Sequence, residues 1–390
     1  MTKIILIVLD GAGIGGAPDA SDYGDEGCNT IVNTARAAGG LHIPNMYRLG
    51  IANIASFPLQ HPADAPLGCY GRAVEVSKGK DTTTGHWEIM GLITERPFAV
   101  FPHGFPAAIV SALESGIGRK VLGNRPSSGT VIIEELGEQH LRTGMPIVYT
   151  SADSVLQIAA HEDIVPVPEL YRWCETARKI ADPYDIERVI ARPFTGTKGA
   201  FRRTGNRKDF AVPPPGTTVL DILHDSDLEV IAVGKIRDIF SGRGIGRSFH
   251  TAANEEGIGQ TMASYRLLGR GIIFTNLNDF DTLYGHRNDP EGFRKALEYF
   301  DSRLTDIIRG MDDTTMLIIT ADHGCDPTTP GTDHTRETIP ILVYMHGLRG
   351  RAIGTRRCFC DIGKTILKAF SIDADMNGVD FIDLIVTNKS

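Results

Sequence analysis

Five short, unbroken apolar runs constrain the fold of this chain more than any other feature. The first covers residues 4–9 (IILIVL); the others are 229–233 (EVIAV), 271–276 (GIIFTN), 316–320 (MLIIT) and 339–344 (IPILVY). A strand with one wet face alternates apolar and polar residues, whereas a strand buried on both faces reads as a continuous apolar stretch. Helical patterns lie between the runs. Over 292–309, Phe293, Ala296, Leu297, Phe300, Leu304 and Ile307 recur with the helical period. Alternating strands and helices predict an α/β fold, with a mostly parallel central sheet and helices on both faces. Ligands of such sheets bind beyond the carboxyl ends of the strands. Asp10, Asp281 and Asp322 all fall there.

The stretch from about 100 to 215 has another character. Proline and glycine punctuate it (FPHGFP, NRPSSGT, VPPPGT), with strand candidates at 147–150 and 188–192. The PPPG at 213–216 is a stiff linker ahead of a fresh helical start at Thr217. A chain of 390 residues is too long for one small core. We therefore expect a discontinuous core domain, 1–99 and 216–390, carrying an inserted smaller α+β domain over 100–215.

Several function classes are disfavoured. A formal net charge of -8 argues against nucleic-acid binding, which needs clustered Lys and Arg, though a small phosphorylated substrate needs only a local basic pocket. The six cysteines (Cys28, Cys69, Cys174, Cys325, Cys358, Cys360) include no CxxC pair, and their scatter reads as reduced and cytoplasmic. The opening apolar run lacks a small-residue cleavage site and reads as a core strand, and no stretch approaches the roughly 18 apolar residues of a membrane span. The following GAGIGG lacks the spacing of a dinucleotide fingerprint.

Three loops and the end of the first strand carry residues suited to metal chemistry. In ADHGCDPTTPGTDHTRE (321–337), Asp322 and His323 leave a strand together and His334 returns from a Gly/Pro loop, with Asp333 placed at most to orient it. In NLNDFDTLYGHRND (276–289), Asp281 and His286 stand five apart after a buried run; a helix cap at Asp279 or Asp281 is the plain alternative. With Asp10 these make three carboxylates and three imidazoles, enough for two first-row divalent ions such as Mn or Zn. The third loop is SKGKDTTTGHWEIMGL (77–92). A threonine hydroxyl needs a metal or a base to act as a nucleophile, and two ions would also neutralise phosphoryl oxygens. Gly85 is expected to open a helix over 86–90, with its positive end near the threonines. Nothing in the spacing chooses among Thr82, Thr83 and Thr84, any of which would also serve as an N-cap.

The pieces DTxTGHWE, DFDxxYGHR and ADHGxDPxxPGTDHTRE, with GIGxAPDA near the start, resemble the phosphopentomutase family of the alkaline phosphatase superfamily. The match runs over nearly the whole chain. It implies an alkaline-phosphatase-like core and a cap domain for the insertion. It implies Thr82 as the nucleophile, with Asp10, Asp322, His323 and the Thr82 oxygen on one ion and Asp281, His286 and His334 on the other. Two Mn2+ per chain and a sugar bisphosphate activator, glucose 1,6-bisphosphate or ribose 1,5-bisphosphate, go with it.

Asp153, Arg188, Arg203 and Lys235 correspond to the family's substrate-facing stretches. Arginine grips phosphate bidentately and lysine supplies a point charge; Arg192, Arg207 and Arg237 compete for the same role. The expected substrates are small sugar phosphates, with no nucleic-acid or membrane partner. Asp10-Gly11-Ala12 replaces the Asp-Ser of relatives, and Thr83 stands where relatives often have Met. The same core with water as acceptor would be a phosphatase or phosphodiesterase, and without chemistry a metal-binding sensor.

Overall fold

The computed structural model describes residues 1–151 and 153–386. Its contacts divide the chain into two units: Met1–Arg96 with Pro214–Ser390, and Pro97–Pro213.

The first unit is built on an eight-stranded sheet. Its strands are β1 (Lys3–Leu9), β2 (Cys69–Ala73), β3 (Glu229–Val233), β4 (Arg247–Phe249), β5 (Gly271–Leu277), β6 (Thr315–Thr320), β7 (Ile339–Tyr344) and β8 (Ala352–Arg356), in the spatial order β4-β3-β5-β1-β6-β7-β2-β8. β4 to β6 run parallel along that order; β7 is antiparallel to both β6 and β2, and β8 returns parallel to β2. Every residue of β1 from Ile4 to Leu9 is buried, as are all of β5 and β6. Only a sheet covered on both faces permits that. The expected α/β class, with a mostly parallel central sheet, is the fold observed.

Register does the positioning. Val8 pairs with Asn276 on one side and Thr320 on the other. Two residues further, Asp10 and Asp322 therefore emerge side by side at the carboxyl edge, with the loop after β5 beside them. The helix Pro290–Gly310 covers this region, burying Phe293, Leu297, Phe300, Leu304 and Ile307; Pro290 sits in its first turn and Asp289 caps Gly292 N at 2.8 Å. The helix expected from Thr217 starts at Val219, because Thr218 and Asp221 form a reciprocal capping box. Three strands went unexpected: β2, β4 and β8 lie toward or at the sheet edges, and their Gly and Arg content breaks the apolar signal.

The second unit has its own mixed sheet, ordered Leu122–Pro126, Ile147–Thr150, Val155–His161, Arg188–Thr195 and Arg202–Arg203, with Lys208–Ala211 also paired to Arg188–Thr195. Strand periodicity splits its core in two. Val148, Ile158 and Val189 pack with the helices Ala107–Ile117 and Val167–Ala181, whereas Ile147, Tyr149 and Phe194 pack with Gly129–Thr143. All six cysteines of the chain are free and buried. No helix among the described residues is long and apolar enough to cross a membrane.

Candidate active site and metal centre

The threonine loop forms a helix from Thr82 to Ile89, four residues earlier than expected. Gly85 lies inside it, not at its start. None of the threonines is the cap: Asp81 accepts from Thr84 N at 2.9 Å and from the Thr84 hydroxyl at 2.7 Å. That bond spends the Thr84 side chain, and Thr83 is buried. Thr82, at the first helical position, directs its hydroxyl at the carboxyl edge of the sheet. Its Oγ1 lies 3.1 Å from His323 Nε2 and 3.4 Å from Asp10 Oδ1.

The six expected ligands converge on this point. His323 Nε2 is 3.4 Å from Asp10 Oδ1 and 3.2 Å from Asp322 Oδ2. Asp281 Oδ1 is 3.2 Å from His286 Nε2 and 3.3 Å from His334 Nε2. The rings of His323 and His334 are 4.2 Å apart, joining the two groups. Ligand atoms of Asp10, Asp281 and His323 lie within 4.8 Å of one another, as do those of Asp281, His286 and His334, so Asp281 belongs to both sets. It sits in a π-helical turn (Phe280–Tyr284) rather than at a cap. The carboxylate of Asp279 instead accepts from Asn254 N at 2.8 Å.

These atoms are close but poorly aligned with one another. Asp281 Oδ1, Asp322 Oδ2 and His334 Nε2 are buried without a hydrogen-bond partner among the described residues. Buried polar atoms are nearly always satisfied. A cluster of carboxylate and imidazole lone pairs sharing one centre is the exception that divalent cations remove, so the residues fit the metals expected. The electrostatics agree. Burial alone would raise the Asp281 and Asp322 carboxyls, yet facing imidazoles hold both low. Burial would likewise depress His286, yet Asp281 holds it up at about 9; His323, facing Asp322 and Asp10, is also held up.

Supporting residues fix this geometry. Gly11, at φ 76°, turns the chain after Asp10 in a conformation that favours glycine, and its N–H donates to Asp322 Oδ1 at 3.0 Å. His86, one helical turn after Thr82, is fully buried, with Nδ1 2.8 Å from Thr82 O and 3.1 Å from Asp322 Oδ2. Asn276 donates Nδ2 to Asp10 Oδ2 at 2.8 Å. The buried Arg336 ties the 321–337 loop down, bonding Asp19, Glu75 Oε2 (2.6 Å) and Gly79 O (2.7 Å). Asp333 caps its neighbour's backbone N–H and pairs with Lys80 at 3.6 Å; its carboxylate does not orient the His334 ring. Sequence reading assigned no role to His86, Asn276 or Arg336. A buried-strand run that turns polar at Thr275 and Asn276 was the available signal for Asn276.

Of the substrate-facing residues expected, only Lys235 belongs to this unit; it is half-buried just after β3. The others lie in the second unit. Asp153 is exposed in the turn before Val155–His161. Arg188 Nε is 3.4 Å from Glu187 Oε1. Arg203 lies with Arg192 and Arg207 around the buried Tyr149 hydroxyl, and burial together with these two cations lowers the pKa of Arg192.

Known proteins place the chain in a family. The model of the metalloenzyme superfamily matches residues 2–374. A solved protein structure from Pyrococcus horikoshii shares the fold, with a TM-score of 0.51 at 13% identity over 97% of this chain and 99% of that one. The chain is thus of the metal-dependent, alkaline-phosphatase-like class. Phosphopentomutases from Dictyoglomus thermophilum and Kosmotoga olearia are 55% and 54% identical to it, covering 99% and 97% of this chain and 99% and 98% of their own lengths. The chain belongs to the phosphopentomutase family.

Proposed function

We propose that the chain isomerises ribose 1-phosphate and ribose 5-phosphate, and the deoxyribose equivalents, through a phosphorylated Thr82. The observation that carries this reading is the Thr82 hydroxyl. It stands at a helix N-terminus, 3.1 Å from His323 and 3.4 Å from Asp10, on the rim of the cluster of Asp10, Asp281, His286, His323 and His334, with Asp322 3.2 Å from His323.

Phosphothreonine would give its phosphoryl group to the free hydroxyl of a bound monophosphate. The Thr82 O–P bond breaks, the sugar O–P bond forms, and the sugar hydroxyl proton is released. The resulting 1,5-bisphosphate returns its other phosphoryl group to Thr82, completing the exchange. Such a cycle needs priming by a sugar bisphosphate. Divalent ions, manganese by the family's habit, would be held by Asp10, Asp322 and His323 and by Asp281, His286 and His334, and would neutralise phosphoryl charge.

The protein's own groups do the positioning. The Thr82 hydroxyl sits at the positive end of the helix, which favours a phosphoryl group there although Asp81 takes the Thr84 N–H. Asn276 and the Gly11 N–H hold the Asp10 and Asp322 carboxylates in fixed rotamers, so that little reorganisation accompanies transfer. Residues 100–215 take the part of the family's cap, whose task is to keep water from the phosphothreonine. Of the arginines there, Arg192 and Arg203 best suit a phosphate, since Arg207 is already paired with the Asp209 carboxylate at 2.6 Å.

The test is a product assay with ribose 1-phosphate, Mn2+ and trace glucose 1,6-bisphosphate, following ribose 5-phosphate and free phosphate together. Ribose 5-phosphate without free phosphate, lost in Thr82→Ala, is the expected result. Stoichiometric phosphate would mean a phosphatase on the same cluster.

A further inference from the structure

Beside the ligand cluster, at the carboxyl ends of β3, β4 and β5, lies a cavity of about 220 Å³. Three asparagines line it, and each has one amide atom left over. Asn254 Oδ1 accepts from Asp279 N at 3.0 Å, which leaves Nδ2 unpartnered. Asn276 gives Nδ2 to the Asp10 carboxylate, which leaves Oδ1. Asn278 gives Nδ2 to the Thr282 hydroxyl at 2.9 Å, which leaves Oδ1. Because the partnered atom fixes each amide's orientation, the leftovers are one donor and two acceptors. Asn254 and Asn276 are more than nine-tenths buried, where unmade hydrogen bonds are costly. Lys235, His250, Thr251 and Asp279 complete the polar lining, and the Asp279 carboxylate adds a further acceptor.

This pattern selects a ligand class. The dianionic phosphoryl group of a phosphate monoester offers acceptors only and would leave both amide oxygens facing negative charge. An apolar group would satisfy none of the three. Sugar hydroxyls donate and accept at once. Asn276 also places the cavity one side chain from Asp10, so its occupant belongs to the reacting molecule. We infer that this cavity binds the hydroxyl-bearing part of the sugar phosphate, through Asn254, Asn276 and Asn278. The inference rests on the pentose-phosphate reading above. It assigns to β5 and to the start of the helix Asn254–Leu267 a recognition of the sugar that is separate from the grip on its phosphate.

Calorimetric titration of the Mn2+-loaded full chain tests it, with ribose 5-phosphate and inorganic phosphate as separate probes. Asn278→Ala and Asn254→Asp are compared with the parent chain, with melting temperature checked for each. Loss of a hydrogen bond to a buried partner predicts ribose 5-phosphate binding weakened about tenfold. Inorganic phosphate should bind all three proteins equally, and KM for ribose 5-phosphate should rise in step. Unchanged ribose 5-phosphate affinity in both folded variants overturns the inference, as does a parallel loss for inorganic phosphate. Binding without isomerisation in the parent chain would instead refute the mutase reading and leave the cavity assignment standing.

Discussion

Replacing Gly85 with alanine perturbs the contact that sets Thr82 against its neighbours. Gly85 has an ordinary helical conformation, so it is required for space alone. A Cβ there would lie 2.1 Å from Asp322 O, 2.8 Å from the Asp322 carbonyl carbon and 3.1 Å from its Cβ. Reaching the 3.4 Å at which ordinary contact begins would push the helix and the end of β6 apart by about 1.3 Å, since neither backbone can rotate away as a side chain can. Overpacking of this kind costs about 1–3 kcal/mol, and the better helix propensity of alanine offsets about 1 kcal/mol. The functional cost should be larger. Misplacement of reacting groups by about 1 Å is worth about 10²-fold in rate, and Asp322 and His323 move with the strand end. Mn2+ titration into chelator-stripped protein and initial rates of isomerisation would read both effects. Gly259→Ala is the matched control, because a Cβ at that helical glycine meets nothing within 4 Å, and it should be neutral or slightly stabilising. A folded Gly85→Ala protein with rate and Mn2+ affinity within threefold of the parent would refute the reasoning.

Three further outcomes are expected. Arg336→Met should cost about 3 kcal/mol in chemical denaturation, because it strands the buried Glu75 carboxylate and the Gly79 carbonyl without their donor; a loss under 1 kcal/mol would contradict this. Glu337 is fully buried, and burial pushes its carboxyl up to about 7 despite donors from Thr30 and Thr335. A raised carboxyl favours the fold when protonated, so its contribution is full below about pH 4.5 and is lost as pH rises through 7, about 3 kcal/mol in all. Chelator-stripped parent protein should therefore lose stability relative to Glu337→Gln between pH 5 and 8, and parallel profiles would exclude the effect. Because Asp281 belongs to both ligand groups, Mn2+ at a hundredfold over its Kd should stabilise the parent by about 2.7 kcal/mol per site. Asp281→Asn should lose most of that, and an undiminished melting shift would remove Asp281 from the metal centre.

How much was legible beforehand follows from which interactions are local. The strands buried on both faces announce themselves because burial writes a continuous apolar run; 229–233 and 339–344 match the observed strands to the residue. β2 and β8 do not, since CYGRA and AIGTR carry Gly and Arg at the less-covered side of the sheet. Three threonines and a glycine after Asp81 read as a turn, yet the Asp81 carboxylate captures Thr84 N and starts the helix there. The candidate ligands could be picked out because metal chemistry restricts residue type and these residues follow strands. Their supports were not: Asn276 meets Asp10 across 266 residues and Arg336 meets Asp19 across 317, so no window of sequence contains either pair. Residue spacing likewise could not separate the three threonines, which the family resemblance alone did; the helix start at Thr82 is what gives them different surroundings.

The most direct test of the account is where the phosphoryl group rests between turnovers. Mn2+-loaded protein would be incubated with glucose 1,6-bisphosphate, quenched in acid and digested, and the peptide spanning 77–92 examined by mass spectrometry. The account predicts one phosphate on Thr82, discharged by added ribose 5-phosphate with formation of the 1,5-bisphosphate, and none in Thr82→Ala. Isomerisation that proceeds while Thr82 stays unmodified, or that survives in Thr82→Ala, would contradict it.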